Sequence, residues 1–237
     1  MKNSEFKPDY REFVYFKQLD FSIAPNMVPG SNGFFLSLNW FGRKRMLKCL
    51  ESDHYRLASL KELNKAFDYS WKSKFNEVAV SMVSTIEAAD DIICFPIDNV
   101  GRYPRCFEPR LQTGDYPMLI QKADEEKRGS KDIVKGGERI EIPEFPTKSA
   151  RLREKIEVLG LARGTKIIYS DRYDEEQKGV KNLIRGNMSI NPKNRYVLAT
   201  FSPWRRIERM GFRFSSSEPT DNVVIREFTL DDYFKKS

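Results

Sequence analysis

The sequence predicts an α+β fold of short, irregular strands with few helices. Three observations carry that expectation. Short runs in which aromatic or aliphatic residues alternate with polar ones recur along the chain, as in FVYFKQLDFSI at 13–23 and FFLSLNW at 34–40. Only residues 59–67 combine a helix cap with an apolar face at helical spacing. Of the 237 residues, 40% are hydrophobic and 13% aromatic. That is enough apolar material for a buried core and too much for global disorder.

The first ten residues are polar and are expected to be loose. The alternation over 13–23 predicts a strand, with Val14, Phe16, Leu19, Phe21 and Ile23 apolar. Two prolines and two glycines make 25–33 a turn-rich stretch, and 34–40 alternates again. Residues 43–51 form a short basic segment with Met46, Leu47 and Leu50 at helical spacing. In the clearest helix, Ser59 is the cap and Glu62, three residues on, completes a capping box; Leu60, Leu63, Ala66 and Phe67 make its apolar face. Strands are expected at 78–86 and 91–97, and a loop at 99–114. The segment QKADEEKRGSKDIVKGG at 121–137 is strongly charged, and 121–139 is expected to be a surface insertion. Further short strands are expected at 158–161, 166–169, 183–185, 196–200 and 211–215, with 223–228 pairing at an edge. Residues 143–146, bounded by prolines, are the one expected hinge, and the expected organisation is a single domain over 1–237.

The net charge is +7. The excess is spread along the chain, with denser spots at 43–45, 151–155 and 205–206, and no run reaches five basic residues. It permits contact with nucleic acid or another anionic surface without specifying a fold. No run of about 18 apolar residues is present, so no spanning helix is expected. Residues 1–20 carry scattered charges and no apolar core of a leader, so a cytoplasmic or virion location is expected rather than secretion. Cys49, Cys94 and Cys106 lack metal spacing and are expected to be free thiols.

Four separated pieces resemble one family, in the family's order. Leu36–Trp40 (LSLNW) leads through a short helix to Tyr55-Arg56-Leu57-Ala58-Ser59-Leu60, similar to a YRLPTEAEWE-like helix start. Residues 159–166 (LGLARGTK) lead to Ile168-Tyr169-Ser170-Asp171-Arg172-Tyr173, similar to an LYDMSGNVWEW strand pair followed by an aspartate and an aromatic. Leu183-Ile184-Arg185-Gly186-Asn187-Met188-Ser189 resembles a VLRGGSW strand, and Arg195-Tyr196-Val197 followed by Gly211-Phe212-Arg213 resembles an arginine-bearing strand with a terminal GFR. The family is the formylglycine-generating-enzyme-like (sulfatase-modifying-factor) branch of the C-type-lectin fold. The pieces cover about half the chain; residues 86–146 show no such likeness.

The resemblance implies a C-type-lectin-like scaffold but not the family's chemistry. Its catalytic members use a cysteine pair near the C-terminal strands to bind copper, and the matching stretch 187–203 contains no cysteine. Asn or Ser cannot replace thiolates at a copper(I) site. A related branch uses several histidines for iron, and this chain has only His54. The tryptophan of RGGSW is replaced as well, by the pair Met188-Ser189. No GxSxG, HExxH, Walker-type or GxGxxG motif occurs. The carboxylate pairs Asp90-Asp91 and Asp171/Asp174 are expected to be solvated turn residues, and Glu125-Glu126 to solvate the charged insertion. Cys94 and Cys106 lack two further zinc ligands at short spacing. No catalytic residue, metal or cofactor is therefore expected.

What remains is binding. By the resemblance, ligand-facing loops fall at 187–194 and 202–209. The candidate contact residues are Trp204, Arg205, Arg206, Asp171, Arg172, Tyr173 and Asn187, with Arg102 and Tyr103 as a further exposed pair. Tryptophan and arginine dominate interface energetics, joining large contact area to directional donors. The expected function is a non-catalytic recognition or structural module that binds another protein, as a virion or tail-associated component or an accessory subunit of a bacterial complex. Two alternatives are an oxygen- or metal-dependent enzyme of the same fold with a relocated site, and a nucleic-acid binder using its basic surface, Arg205 and Arg206 included. Arg56, Arg185 and Arg213 are expected to find internal partners, since an unpaired buried charge is costly.

Overall fold

The structure is a computed structural model that describes residues 13–16, 19–28, 36–49, 56–72, 81–82, 85–95, 107–108, 115–169, 180–186, 197–204, 206 and 210–217. These form a mixed α+β fold, mostly strands, with the α-helices α1 (Trp40–Cys49) and α2 (Leu60–Lys72). The strand expected over 13–23 is instead a hairpin of β1 (Val14–Phe16) and β2 (Phe21–Ile23). The turn falls at Asp20, whose φ is 54°, and the N–H groups of Leu19 and Asp20 both donate to the Phe16 carbonyl. Aspartate tolerates this left-handed conformation better than most residues.

β2 pairs with β15 (Phe214–Ser216), and β15 pairs with β3 (Arg56–Leu57), so strands from both ends of the described chain share one sheet. A larger sheet runs in the order β10 (Ala150–Arg151), β11 (Lys166–Tyr169), β13 (Val197–Phe201), β12 (Val180–Gly186), β4 (Ile86–Cys94), β6 (Met118–Gln121) and β9 (Glu138–Glu141). The short β14 (Met210–Gly211) lies parallel to β4. A third sheet joins β5 (Phe107–Glu108), β8 (Lys131–Lys135) and β7 (Asp124–Arg128).

The expected capping box is formed. Glu62 accepts from the Ser59 N–H at 2.9 Å while Ser59 Oγ accepts from the Glu62 N–H at 3.3 Å. The apolar stripe of α2 then packs Leu60, Leu63, Ala66 and Phe67 into one cluster with Ile93, Leu119, Ile167 and Leu183 of the larger sheet. Burial of such side chains contributes about 1.5–3 kcal/mol each. Phe145 joins that cluster and meets Phe95 at 5.9 Å, which anchors the expected 143–146 hinge to the core.

Several expected strands are corrected. Trp40 begins α1 rather than ending a strand, because Asn39 caps the helix: its Oδ1 accepts from the Gly42 N–H at 2.8 Å. Ser81 and Met82 are helical, and the strand expected at 78–86 starts only at Ile86. Val158 and Leu159 belong to a 3-10 turn (Glu157–Leu159) closed by Gly160 at φ 63°, and Leu161 forms an isolated β-bridge with Ile156. Glycine suits the left-handed backbone at Gly160, while the space beside α2 would admit a Cβ at ordinary contact, 3.4 Å from Asn64 Cβ and Lys61 O. Within the charged 121–139 segment lies the β7–β8 hairpin, turning at Gly129 with φ 61° and burying Ile133 and Val134. The expected loop at 99–114 contains β5, and the rest of it lies outside the described residues, as do 1–10, 96–97 and 223–228.

Candidate functional site

β4 carries the polar centre of the molecule. Against β12, Ile92 stands opposite Asn182 and Ala88 opposite Ile184, so Ala89–Asp91 bulge against one β12 residue. Bulging frees backbone groups that a buried strand cannot leave unpaired. Side chains from distant segments take them up. Asn182 Nδ2 donates to the carbonyls of Ala89 (2.9 Å) and Asp91 (3.0 Å). Trp40 Nε1 donates to the Asp90 carbonyl at 2.8 Å. The Asp90 N–H donates to Ala58 O at 3.0 Å. Arg43 reaches Asn182 Oδ1 (2.9 Å), Ala89 O (3.3 Å) and Leu38 O (3.2 Å). Burial pulls its guanidinium down to about 10, partly offset by Asp90, so it stays charged at neutral pH.

Asp90 and Asp91 are thus strand residues, not the solvated turn pair expected. The Asp90 carboxylate meets Lys44 Nζ at 2.7 Å. Asp91 accepts from the Leu60 N–H at 2.5 Å, at the start of α2, and from Gln121 Nε2 at 3.1 Å. Burial pushes the Asp91 carboxyl from 3.8 up to about 6, with the charge of Asp90 adding and the Leu60 N–H and Gln121 opposing. The folded state therefore holds this proton more tightly than the unfolded chain. The associated stability is complete below about pH 4 and is lost as pH rises through about 6. Asp91→Asn should remove a fall of about 2–3 kcal/mol across that window. Urea unfolding of both proteins from pH 4 to 7 checks this; parallel stability curves would show that Asp91 does not titrate there.

The three arginines expected to be internally satisfied all have partners within the protein; Arg185 and Arg213 are buried and Arg56 is partly exposed. Arg213 directs Nε and Nη2 at Glu87 Oε1 (3.0 and 2.8 Å), with both side chains fully buried. It also donates to Ala24 O (3.0 Å), Ser81 Oγ (2.7 Å) and Pro25 O. Arg56 pairs with Glu62 at 2.5 Å and donates to Ser215 Oγ at 2.7 Å, which ties the α2 capping box to β15. Arg185 lies over the Phe67 ring at 4.4 Å and donates to Met82 O at 3.5 Å. Glu125, expected to be solvated, is buried and engaged by Lys48 at 3.1 Å and Arg45 at 3.6 Å. Arg45 also meets Asp132 at 2.8 Å, so much of the charge of the β7–β8 hairpin is directed at α1.

Two of the expected contact residues are described. Trp204 is half-buried: its ring lies 5.1 Å from Phe41, and its carbonyl accepts from Asn39 Nδ2 at 3.1 Å. The Trp40 N–H donates to Pro203 O at 3.0 Å. The 202–204 segment is therefore seated on the start of α1, and Arg206 is exposed just beyond it. Arg205, Asp171, Arg172, Tyr173, Asn187, Arg102 and Tyr103 lie outside the described residues, as do Asp174, Cys106 and His54. Cys94 is buried and Cys49 half-buried. Among the described residues, no three His, Cys, Asp or Glu side chains group as metal ligands, and no helix is long and apolar enough to cross a membrane. Chemically, the charged groups around the β4 bulge are committed to one another and to the backbone. Arg43, Glu87 and Asn182 carry no local signal of this, because their partners lie 46, 126 and 139 positions away. The Asn39 cap could have been found, as Asn before an apolar run is a helix-start signal.

Compared with known proteins, the chain matches no family model, no curated protein and no solved structure.

Proposed function

We propose that this chain is a non-catalytic recognition module on a C-type-lectin-like scaffold of the formylglycine-generating-enzyme-like type, and that it binds another protein through a rim that includes Trp204 and Arg206. The observation that carries the proposal is the seating of this rim on α1: Trp204 is held at its backbone by Asn39 and backed by Phe41, yet keeps part of its surface open, with Arg206 exposed beside it. A half-exposed tryptophan on a fixed backbone beside a free arginine loses little entropy on binding. The scaffold assignment draws support from β3 and β15. The YRL-like and GFR-like segments are far apart in sequence, yet Leu57 pairs with Phe214 and Arg56 with Ser215.

The test is quantitative capture of partners by the tagged full chain from its native source, comparing the wild type with Arg206→Glu. A protein partner recovered near one-to-one with wild type should fall by about fivefold or more with the variant. Thermal unfolding should be unchanged, because Arg206 is exposed. Equal recovery from both proteins would overturn the assignment of the rim. Stoichiometric copper or iron in the purified chain would favour the enzyme alternative.

A further inference from the structure

At one end of the larger sheet, β10 and β11 form an antiparallel ladder that places Arg151 directly opposite Lys166. Backbone bonds extend the ladder: the Leu152 N–H donates to Thr165 O at 2.9 Å and the Gly164 N–H to Leu152 O at 2.9 Å. Leu152, Thr165 and Ile167 are buried, so strand alternation puts Arg151, Arg153 and Lys166 together on the outer face, where all three are exposed. Arg163, also exposed, sits in the turn beside them.

Like charges directly opposite on a ladder destabilise it, and a sequence selected only for folding has no reason to keep them. Among the described residues, no carboxylate lies within ion-pair distance of Arg151, Arg153, Arg163 or Lys166. Arg151 Nη1 donates instead to Gly164 O at 3.3 Å. The nearby Glu157 is engaged by Lys155. From 148 to 166 the chain carries six cations against two carboxylates, a large part of its net charge of +7.

We propose that this face binds the phosphate backbone of a nucleic acid, at a surface separate from the 202–206 rim. Three of its four cations are arginines, whose planar donors match phosphate oxygens. It presents no large exposed apolar side chain of the kind that anchors a protein interface; among the described residues that property belongs to Tyr116, in another segment. Phosphates set against the Arg151–Lys166 pair would relieve its repulsion.

The experiment is fluorescence anisotropy of the full chain with a labelled single strand and a duplex of about 20 nucleotides, at KCl from about 50 to 200 mM. Wild type should bind, and the double variant Arg151→Ala/Arg153→Ala should lose about tenfold or more, with a salt slope shallower by about 2. Lys166→Glu should weaken binding while raising the melting temperature by about 1–3 °C, since it turns a repulsive cross-strand pair into an attractive one. That opposite pair of shifts separates binding from misfolding. Arg206→Ala should bind normally, which keeps this result independent of the rim. No binding by wild type at low salt, or equal binding by the double variant, would overturn the proposal. So would equally tight, equally variant-sensitive binding of polyglutamate, which would assign the face to an acidic protein.

Discussion

Arg213→Ala is expected to destabilise the protein by about 3–5 kcal/mol, since it strips a fully buried carboxylate of its counter-ion. Oε1 of Glu87 accepts from Arg213 twice and from Thr85 Oγ1 at 2.9 Å. Losing the guanidinium removes the charge balance and two of those three donors. The same change removes one donor from Ala24 O and one from Ser81 Oγ, loosening the contact of residue 213 with 24–25 and 81. Total stabilities of about 5–15 kcal/mol leave little margin for such a loss. The expected result is a urea midpoint far below wild type, or an insoluble product. Arg213→Lys should recover only part, because a lysine cannot present the fork that reaches Glu87, Ala24 and Ser81 together. An unchanged urea midpoint in Arg213→Ala would contradict this.

Trp40→Ala is expected to cost about as much, about 3–5 kcal/mol, by a different physics. The ring is 1% exposed, meets Phe41 edge-on at 5.1 Å and lies under Lys44 Nζ at 5.3 Å. Most of the loss is packing. Trp40→Phe separates the two parts: it keeps most of the volume but leaves the Asp90 carbonyl in the bulge without its indole donor, a cost of about 1–3 kcal/mol. Trp40→Ala should also loosen the 202–204 segment, because Trp204 packs against the cluster that contains Trp40, whereas the backbone N–H of residue 40 that meets Pro203 O is kept in both variants. Urea unfolding ranks the variants; a Trp40→Phe variant no more stable than Trp40→Ala would contradict the packing account.

What could be read in the sequence was local. The α2 capping box spans four residues, so its chemistry sits within one window. The strand at 166–169 was legible because its flanks, Gly164 before and Ser170 after, punctuate it. The β1–β2 hairpin has no glycine or proline to signal it, because its turn uses Asp20. In the charged hairpin at 124–135, composition shows the charge but hides the pairing of Arg45 and Lys48 with Asp132 and Glu125. The β4 bulge was invisible for a similar reason. Asp91 looks like any loop aspartate until Leu60, Gln121 and Asn182 close around that strand. Of the proposed rim, Trp204 and Arg206 stand out by residue type alone, while the contacts that seat Trp204 on α1 come from residues more than 160 positions away.

The central claim is that buried charges inside this protein are scaffolding, with the C-terminal strands latched to β4 through Arg213 and Glu87. A double-mutant cycle of Glu87→Gln, Arg213→Met and their combination, read by urea unfolding, tests it most directly. The predicted coupling is about 2–3 kcal/mol, with the double variant more stable than the sum of its singles, because each single strands the other buried group. Additive losses, with coupling within about 0.5 kcal/mol of zero, would show that the two side chains do not meet in solution and would contradict the fold described.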